Sequence, residues 1–497
     1  MPDGSQPSGY LTNPLKHTMF YKLRPVILFR YYDGFGYLTD NSNFGYRLLG
    51  TPIVGDKVVS ESAAIMLDCL GRHTMSSENM VHVLMGKFSG VDENTLKRDI
   101  EKLFQSLVSD GFMLSGINAE DCDRDTFLSN KTEELEQSVS QSGRKLSETS
   151  TQSFLLQHYG DTPHPTCFHM DIVSACNERC IHCYLPPEQK HGTMPMSMVE
   201  SIISQCAEMK ILHLTLSGGE PLLHPDIVTI LRLCRENDFS VNLLSNMTLL
   251  SDGVLQEMRK NPLLGVQVSL YSVEEQVHDS ITGVPGSCRK TMTAIRRLVD
   301  NKIPVQISCP VMRQNYKGYR DVIEWGTGIG VSVSADYVII GRNDSSTANL
   351  GCRLSHIQIE AMIRANLDNV QTFEDELREV ANNRLRTGDD YVCSVCTSSL
   401  CVAANGDVFP CAGWQGCVIG NLHNSTLRDI WYHSPEAKRL RNIRRADFEK
   451  CRSCRDSDYC SICLVRNANE SPDGDPLEIN GFFCRVASIK RRVIEEK

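Results

Sequence analysis

Three cysteines, Cys176, Cys180 and Cys183, fall within eight residues, with three and then two residues between them. They directly follow an apolar, strand-like run from Phe168 to Val173. A loop this tight aims three thiolates at one point. A fourth ligand from the same loop is sterically hard to add, and the next cysteine, Cys206, sits inside a helical pattern. Three thiolates suit an iron–sulfur cluster whose remaining iron is open to bind something else. The alternative is a zinc loop, but zinc prefers two close pairs of ligands, which this loop lacks.

Two further groups of residues carry chemistry. Gly218-Gly219-Glu220-Pro221 closes a second strand-like run. Paired glycines let the backbone come close to a ligand, and Glu220 can accept from an amine. Taken alone, such a triplet is usually a turn. In the last third, Cys393-x2-Cys396 precedes a hairpin from Leu400 to Cys411, turning at Asn405-Gly406. Cys451-x2-Cys454-x5-Cys460-x2-Cys463 follows, and then Cys484. Cys-x2-Cys spacing by itself also suits zinc.

Together these motifs resemble the radical S-adenosylmethionine (SAM) enzymes. Cys-x3-Cys-x2-Cys after the first strand of a β/α pattern is similar to that family's signature, with His182 where an aromatic is usual. Gly218, Gly219 and Glu220 resemble the segment that binds the SAM amino group. Ser245, Asn246 and Ser269 match positions of polar contacts to the cofactor. His278-Asp279-x-Ile-Thr-Gly283, followed by Pro285-Gly286-Ser287, resembles a segment of related maturases, although many of those carry Arg where Thr282 stands. His278 and Asp279 could equally mark a helix terminus. The cysteine-rich third resembles the SPASM extension. The resemblance implies a first auxiliary cluster on Cys393, Cys411 and Cys463, with Cys396 a candidate fourth ligand. It implies a second on Cys451, Cys454, Cys460 and Cys484. Two departures stand out: two residues rather than three precede Cys463, and Cys401 and Cys417 are extra thiols near the first set. The implied cofactors are three [4Fe–4S] clusters, one for SAM and two auxiliary, and SAM itself.

The elements that must position these residues follow from periodicity. From 166 to 345, strand-like runs at Leu212–Ser217, Ser240–Ser245, Gly265–Leu270 and Val305–Ser308 alternate with helical stretches. That is the βαβ pattern of a parallel sheet, with active-site loops at the strand C-termini. The expected fold class is α/β, a partial (β/α)6 barrel by resemblance. Residues 346–388 read as a helical connector and 389–497 as the cysteine-rich extension. Residues 19–115 read as strands joined at Asp33-Gly34, then three helices, the first two capped by Ser60 and Ser76. The second should show Met80, Val83 and Leu84 on one face. This unit resembles the winged-helix-like PqqD domain that recognises leader peptides, the likeness being carried by Ser62–Gly71 and Leu103–Met113. Residues 116–165 are polar and read as a linker with one exposed helix.

Composition narrows the classes. The chain has 497 residues, 41% hydrophobic and 23% charged, as in globular proteins. A net charge of −10 and a third helix of mixed charge argue against a nucleic-acid partner. No run is long and apolar enough to span a bilayer, and no signal peptide opens the chain, so a cytoplasmic location without a membrane partner is expected. Twenty-one cysteines then read as metal ligands before disulfides. The resemblance implies an enzyme that modifies a ribosomally made precursor peptide, captured through its leader. A 5′-deoxyadenosyl radical would abstract hydrogen, an external donor such as flavodoxin or ferredoxin would supply electrons, and a thioether or carbon–carbon crosslink would result. No residue is singled out as the general base. The competing classes are a sulfatase-maturase-like formylglycine-generating enzyme, a radical peptide epimerase, and a non-catalytic zinc or electron-transfer scaffold.

Overall fold

The computed structural model describes residues 18–40, 54–123, 151–160 and 162–497. Chain contacts divide it into two compact units, the first spanning 1–40 and 54–146 and the second 41–53 and 147–497. Most of the polar segment 116–165, from 124 to 150, lies outside the described residues.

In the first unit, β1 (Phe20–Leu23) pairs antiparallel with both β5 (Met75–Ser76) and β6 (Met113–Gly116). A separate antiparallel sheet has the order β2 (Leu28–Tyr32), β3 (Phe35–Thr39), β4 (Asp56–Ser60). The turn at Asp33-Gly34 joins β2 to β3, with Gly34 at φ +85° as a tight hairpin turn requires. Ser60, Ser76 and Asp92 accept backbone N–H bonds at the starts of helices Glu61–Leu70, Ser77–Leu84 and Glu93–Ser109. Leu67, Ile100, Phe104, Leu107 and Phe112 form the core beneath them. One expected helix face needs correcting: Val81 is buried with Met80 and Leu84, while Val83 is exposed. Ser77, Met80, Val81 and Leu84 make the i, i+3, i+4, i+7 stripe of a buried helix face, and Val83 falls outside it, beyond Met80.

The second unit is built on a nine-stranded sheet. Six strands are parallel: β7 (Cys167–Val173), β8 (His213–Gly218), β9 (Ser240–Ser245), β10 (Leu264–Ser269), β11 (Val305–Pro310) and β12 (Ser332–Asp336). Helices such as Met196–Glu208, Ile227–Glu236 and Ser287–Asp300 connect them. This is the expected six-stranded half-open barrel. The sheet then continues past β7. The hairpin of β13 (Ser399–Val402) and β14 (Asp407–Phe409) adds to it, β13 running parallel to β7, and β15 (Gly420–Asn421) closes the edge. Pairing between β13 and β7 links positions more than 200 residues apart, which local pattern cannot announce.

Alternation fixes the two faces of this sheet. Phe168, Met170, Ile172, Leu214, Leu216, Val241, Leu243, Val266, Val268, Val305 and Ile307 belong to the large core. Neighbouring positions, among them His169, Asp171, Thr215, Asn242, Gln267, Ser269 and Ser308, are polar and lie in matching rows on the opposite face. A parallel sheet covered only by apolar packing would be apolar on both sides. The polar face therefore lines a surface meant for polar occupants. Helix Thr151–Tyr159 belongs to this unit and buries Leu155.

Candidate cluster and cofactor site

The cysteine loop leaves the C-terminal end of β7 and is held by backbone bonds from several directions. Arg179 N–H donates to Thr282 O and Ile181 N–H to Ile281 O. Asn349 Nδ2 donates to His182 O, and Asn343 N–H to Tyr184 O. The segment around His278 thus supports the loop through main-chain carbonyls. Within it, Asp279 accepts from Ser287 Oγ and Cys288 N–H at 2.9 Å, which caps helix Ser287–Asp300. His278 lies inside helix Glu275–Thr282, and its Nδ1 accepts from Tyr271 N–H at 3.2 Å. Of this pair, Asp279 stands at a helix start, while His278 is buried beside Tyr271.

Cys176, Cys180 and Cys183 converge: the Cys180 thiol feels the charges of both others. Burial pushes the Cys180 thiol well up and raises Cys176 to about 11. Thiols held protonated by burial become thiolates when a metal binds, because the ion supplies the missing stabilisation. Three buried polar atoms beside them have no hydrogen-bond partner among the described residues: Glu178 Oε1, His182 Nδ1 and His278 Nε2. Buried polar atoms are normally satisfied, so their clustering around three thiols fits a site built for a polar, charged group. A cluster with a SAM ligand meets that description. Burial lifts the Glu178 carboxyl to about 7, with Glu220 and Asp279 adding to the rise, and depresses His182 to about 4.

The glycines of the Gly-Gly-Glu segment serve the chain's own backbone. Gly218 has φ +133°, and a Cβ there would overlap the Val173 carbonyl oxygen. At Gly219 a Cβ would overlap the Ala175 carbonyl. Gly219 N–H donates to Val173 O at 2.7 Å and Glu220 N–H to Ala175 O at 2.9 Å. The pair lets the end of β8 close against the start of the cysteine loop. Glu220 is 1% exposed, and its carboxylate accepts from Ser245 Oγ (2.7 Å), Leu222 N–H (3.0 Å) and Asn246 N–H (2.8 Å). Asn246 Nδ2 donates in turn to Asn177 Oδ1 of the loop at 2.9 Å. Glu220, Ser245 and Asn246 thus form one network joining β8, β9 and the cysteines. Met247 at φ +59° follows it, the kind of strained position found at functional turns. Ser269 lies one strand further, at the end of β10 and near the Tyr271 hydroxyl.

The remaining cysteines form two groups. The Cys393 thiol feels Cys463 and Cys411, and Cys411 feels Cys463. The second group joins Cys451, Cys454, Cys460 and Cys484. Cys396 is fully buried at φ +54° and lies near Arg441, Cys417 and then Cys393, so it faces the extra thiol as well as the first set. Cys401 is turned elsewhere: with His169 and Asp171 it makes a group whose ligand atoms all lie within 4.8 Å of one another. His169 Nε2 and Asp171 Oδ1 are 2.9 Å apart, and Gln415 Nε2 donates to Asp171 Oδ2 at 2.7 Å. Tyr184, partly buried, feels Asp171, Cys401, Cys183 and Cys411, so it stands between the opening loop and the first auxiliary set. His169, Asp171, Gln415, Glu178 and Tyr271 were not singled out from sequence. The one available signal was polar residues at alternate positions of an otherwise apolar strand, His169 and Asp171.

Comparison with known proteins agrees with this arrangement. Residues 170–326 match the radical SAM superfamily, and residues 393–455 match SPASM, an iron–sulfur cluster-binding domain. The chain is similar to an AdoMet-dependent heme synthase of Methanosarcina barkeri, 24% identical over 61% of this chain and 92% of the relative. It is similar to AlbA, an antilisterial bacteriocin subtilosin biosynthesis protein of Bacillus subtilis, 25% identical over 62% of this chain and 69% of the relative. The crystal structure of SuiB of Streptococcus suis bound to precursor peptide SuiA matches with a TM-score of 0.58, covering 93% of this chain and 99% of that one. At 17% identity the last likeness speaks for the fold.

Proposed function

We propose that this radical SAM enzyme with a SPASM extension modifies a ribosomally made precursor peptide, forming an intrapeptide thioether or carbon–carbon crosslink. The observation that carries the reading is the separation of the clustered cysteines into three groups of mutually interacting thiols. A crosslink removes two hydrogens from its substrate, so it needs a hydrogen-abstracting site and an electron acceptor, and the second and third groups suit the latter. Support also comes from relatives: AlbA acts in bacteriocin biosynthesis, and SuiB binds a precursor peptide.

Cys176, Cys180 and Cys183 would hold the SAM-binding cluster. When bound, cluster and SAM together supply an organic radical able to take hydrogen from an unactivated C–H bond. The chain's own groups do the rest. Backbone bonds to the carbonyls of residues 281–282 and from Asn343 N–H, with the Asn349 side-chain amide, fix the loop. Glu220, Ser245 and Asn246 rigidify the strand ends on which the cofactor would rest, and Glu220 keeps acceptor capacity for its amino group. His169, Asp171 and Gln415 present hydrogen-bonding groups on the barrel's inner face near Tyr184, where a peptide side chain would lie. Cys393, Cys411 and Cys463, with Cys396 the candidate fourth ligand, would hold the nearer auxiliary cluster. Cys451, Cys454, Cys460 and Cys484 would hold the farther one, and Cys484 is exposed, on the side where an external electron carrier can approach.

The first unit is read as a PqqD-like leader-recognition domain. Its two small antiparallel sheets leave edges to which an extended leader can add as a strand. Tethering the leader there raises the effective concentration of a mobile core peptide at the barrel. The test is incubation of the anaerobically reconstituted enzyme, SAM and dithionite with the peptide encoded by a small neighbouring reading frame. The expected product has lost two hydrogens per link by mass spectrometry. An unmodified peptide alongside active SAM cleavage would refute peptide crosslinking.

A further inference from the structure

Tyr271 closes the end of β10 and is 4% exposed. Its hydroxyl donates to Cys180 Sγ at 3.8 Å. Ser269, the last residue of β10, lies near the same hydroxyl. The ring is clamped on both sides: His182 meets it edge-on with centroids 5.0 Å apart, and His278 lies 5.3 Å away. His278 Nδ1 also accepts from the Tyr271 main chain, and Asn315 Nδ2 donates to Tyr271 O at 2.9 Å. Backbone and ring are therefore both fixed, and the hydroxyl has one sulfur to address.

We propose that Tyr271 is a positioning residue for the opening cluster: its hydroxyl hydrogen-bonds the Cys180 thiolate and raises the cluster's reduction potential. The inference rests on the reading that Cys176, Cys180 and Cys183 hold that cluster. A hydrogen bond to a ligating sulfur stabilises the more negative, reduced form more than the oxidised one. Such bonds are stronger when the acceptor is charged and the surroundings are dry. Cys180 alone among the three cysteines receives this phenol, so the three thiolates are not equivalent. The Glu178 carboxyl lies beside the same sulfur, with Oε2 accepting from the Cys180 thiol at 3.5 Å.

The test is a redox titration of the reconstituted full-length enzyme, followed through the electron paramagnetic resonance signal that SAM perturbs. That signal separates the opening cluster from the auxiliary ones. Tyr271→Phe keeps the ring and removes the donor. The expected result is a midpoint more negative by about 59 mV, a tenfold change in the reduced-to-oxidised ratio. Iron content should be unchanged in the variant. An unchanged midpoint in Tyr271→Phe, with the SAM-responsive signal intact, would overturn the role of Tyr271 alone. A wild-type enzyme with no SAM-responsive signal would overturn the ligand reading and this inference together.

Discussion

At the scale of single residues, the thiols were the most legible part of the chain. Spacing alone separates Cys176, Cys180 and Cys183 from the core cysteines, because a ligand loop must return its side chains to one point. Replacing any one of the three by Ala should abolish 5′-deoxyadenosine formation, measured by chromatography after incubation with SAM and dithionite. The glycines were legible as a motif but not in their role. Gly218 and Gly219 are required by the carbonyls of Val173 and Ala175, a contact between two strands that no local pattern reveals. Gly219→Ala should therefore lower the thermal midpoint and the iron bound per chain even in the absence of SAM. Asp171 gave a signal as a polar residue in an apolar strand, but Tyr271 gave none, because only the folded chain brings its hydroxyl, just past β10, to Cys180. A further expectation concerns His213, fully buried against Ser240, where burial and then the nearby His169 depress its pKa to about 3. In the unfolded chain it binds a proton near pH 6.5. Stability should then be full above that pH and fall as pH drops from about 6.5 toward 3, by up to about 1.4 kcal/mol per pH unit. Urea midpoints between pH 7.5 and 5.5 measure this, and His213→Gln should flatten the slope.

At the scale of elements, strand order within the barrel was readable from the βαβ alternation, and the hairpin at Asn405-Gly406 from its turn residues. What sequence could not give was the docking of that hairpin. Register places Leu400 beside Phe168 and Val402 beside Met170, so the cysteine-rich extension shares the barrel's hydrophobic core. This fixes Cys393 and Cys411, on either side of the hairpin, relative to the opening loop. Leu400→Ala should cost about 2–5 kcal/mol, as for a buried leucine cavity. A calorimetric scan would show the loss in the same transition that unfolds the barrel, because strand and barrel have one core. The buried pair of Arg353 with Glu470, 2.6 Å apart, ties the connector to helix Leu464–Glu470 next to Cys463. Arg353 also lies over Phe482. Arg353→Ala should cost about 3–5 kcal/mol, since it strands a largely buried carboxylate.

At the scale of the whole molecule, the chain folds as two compact units, and the proposed function assigns recognition to the first and chemistry to the second. The unit around the three-helix core contributes no cysteine to the three groups, and no helix among the described residues is long and apolar enough to cross a membrane. Removing residues 1–115 should leave peptide-free SAM cleavage near wild-type levels while modification of a full-length precursor falls at least tenfold. Unchanged turnover on that precursor would remove the leader-recognition role. The radical chemistry itself is decided by one measurement, anaerobic reconstitution of the full chain with iron and sulfide, followed by dithionite and SAM. The account predicts about twelve irons per chain and formation of 5′-deoxyadenosine. Near-zero iron with zinc in its place, or no 5′-deoxyadenosine, would contradict it.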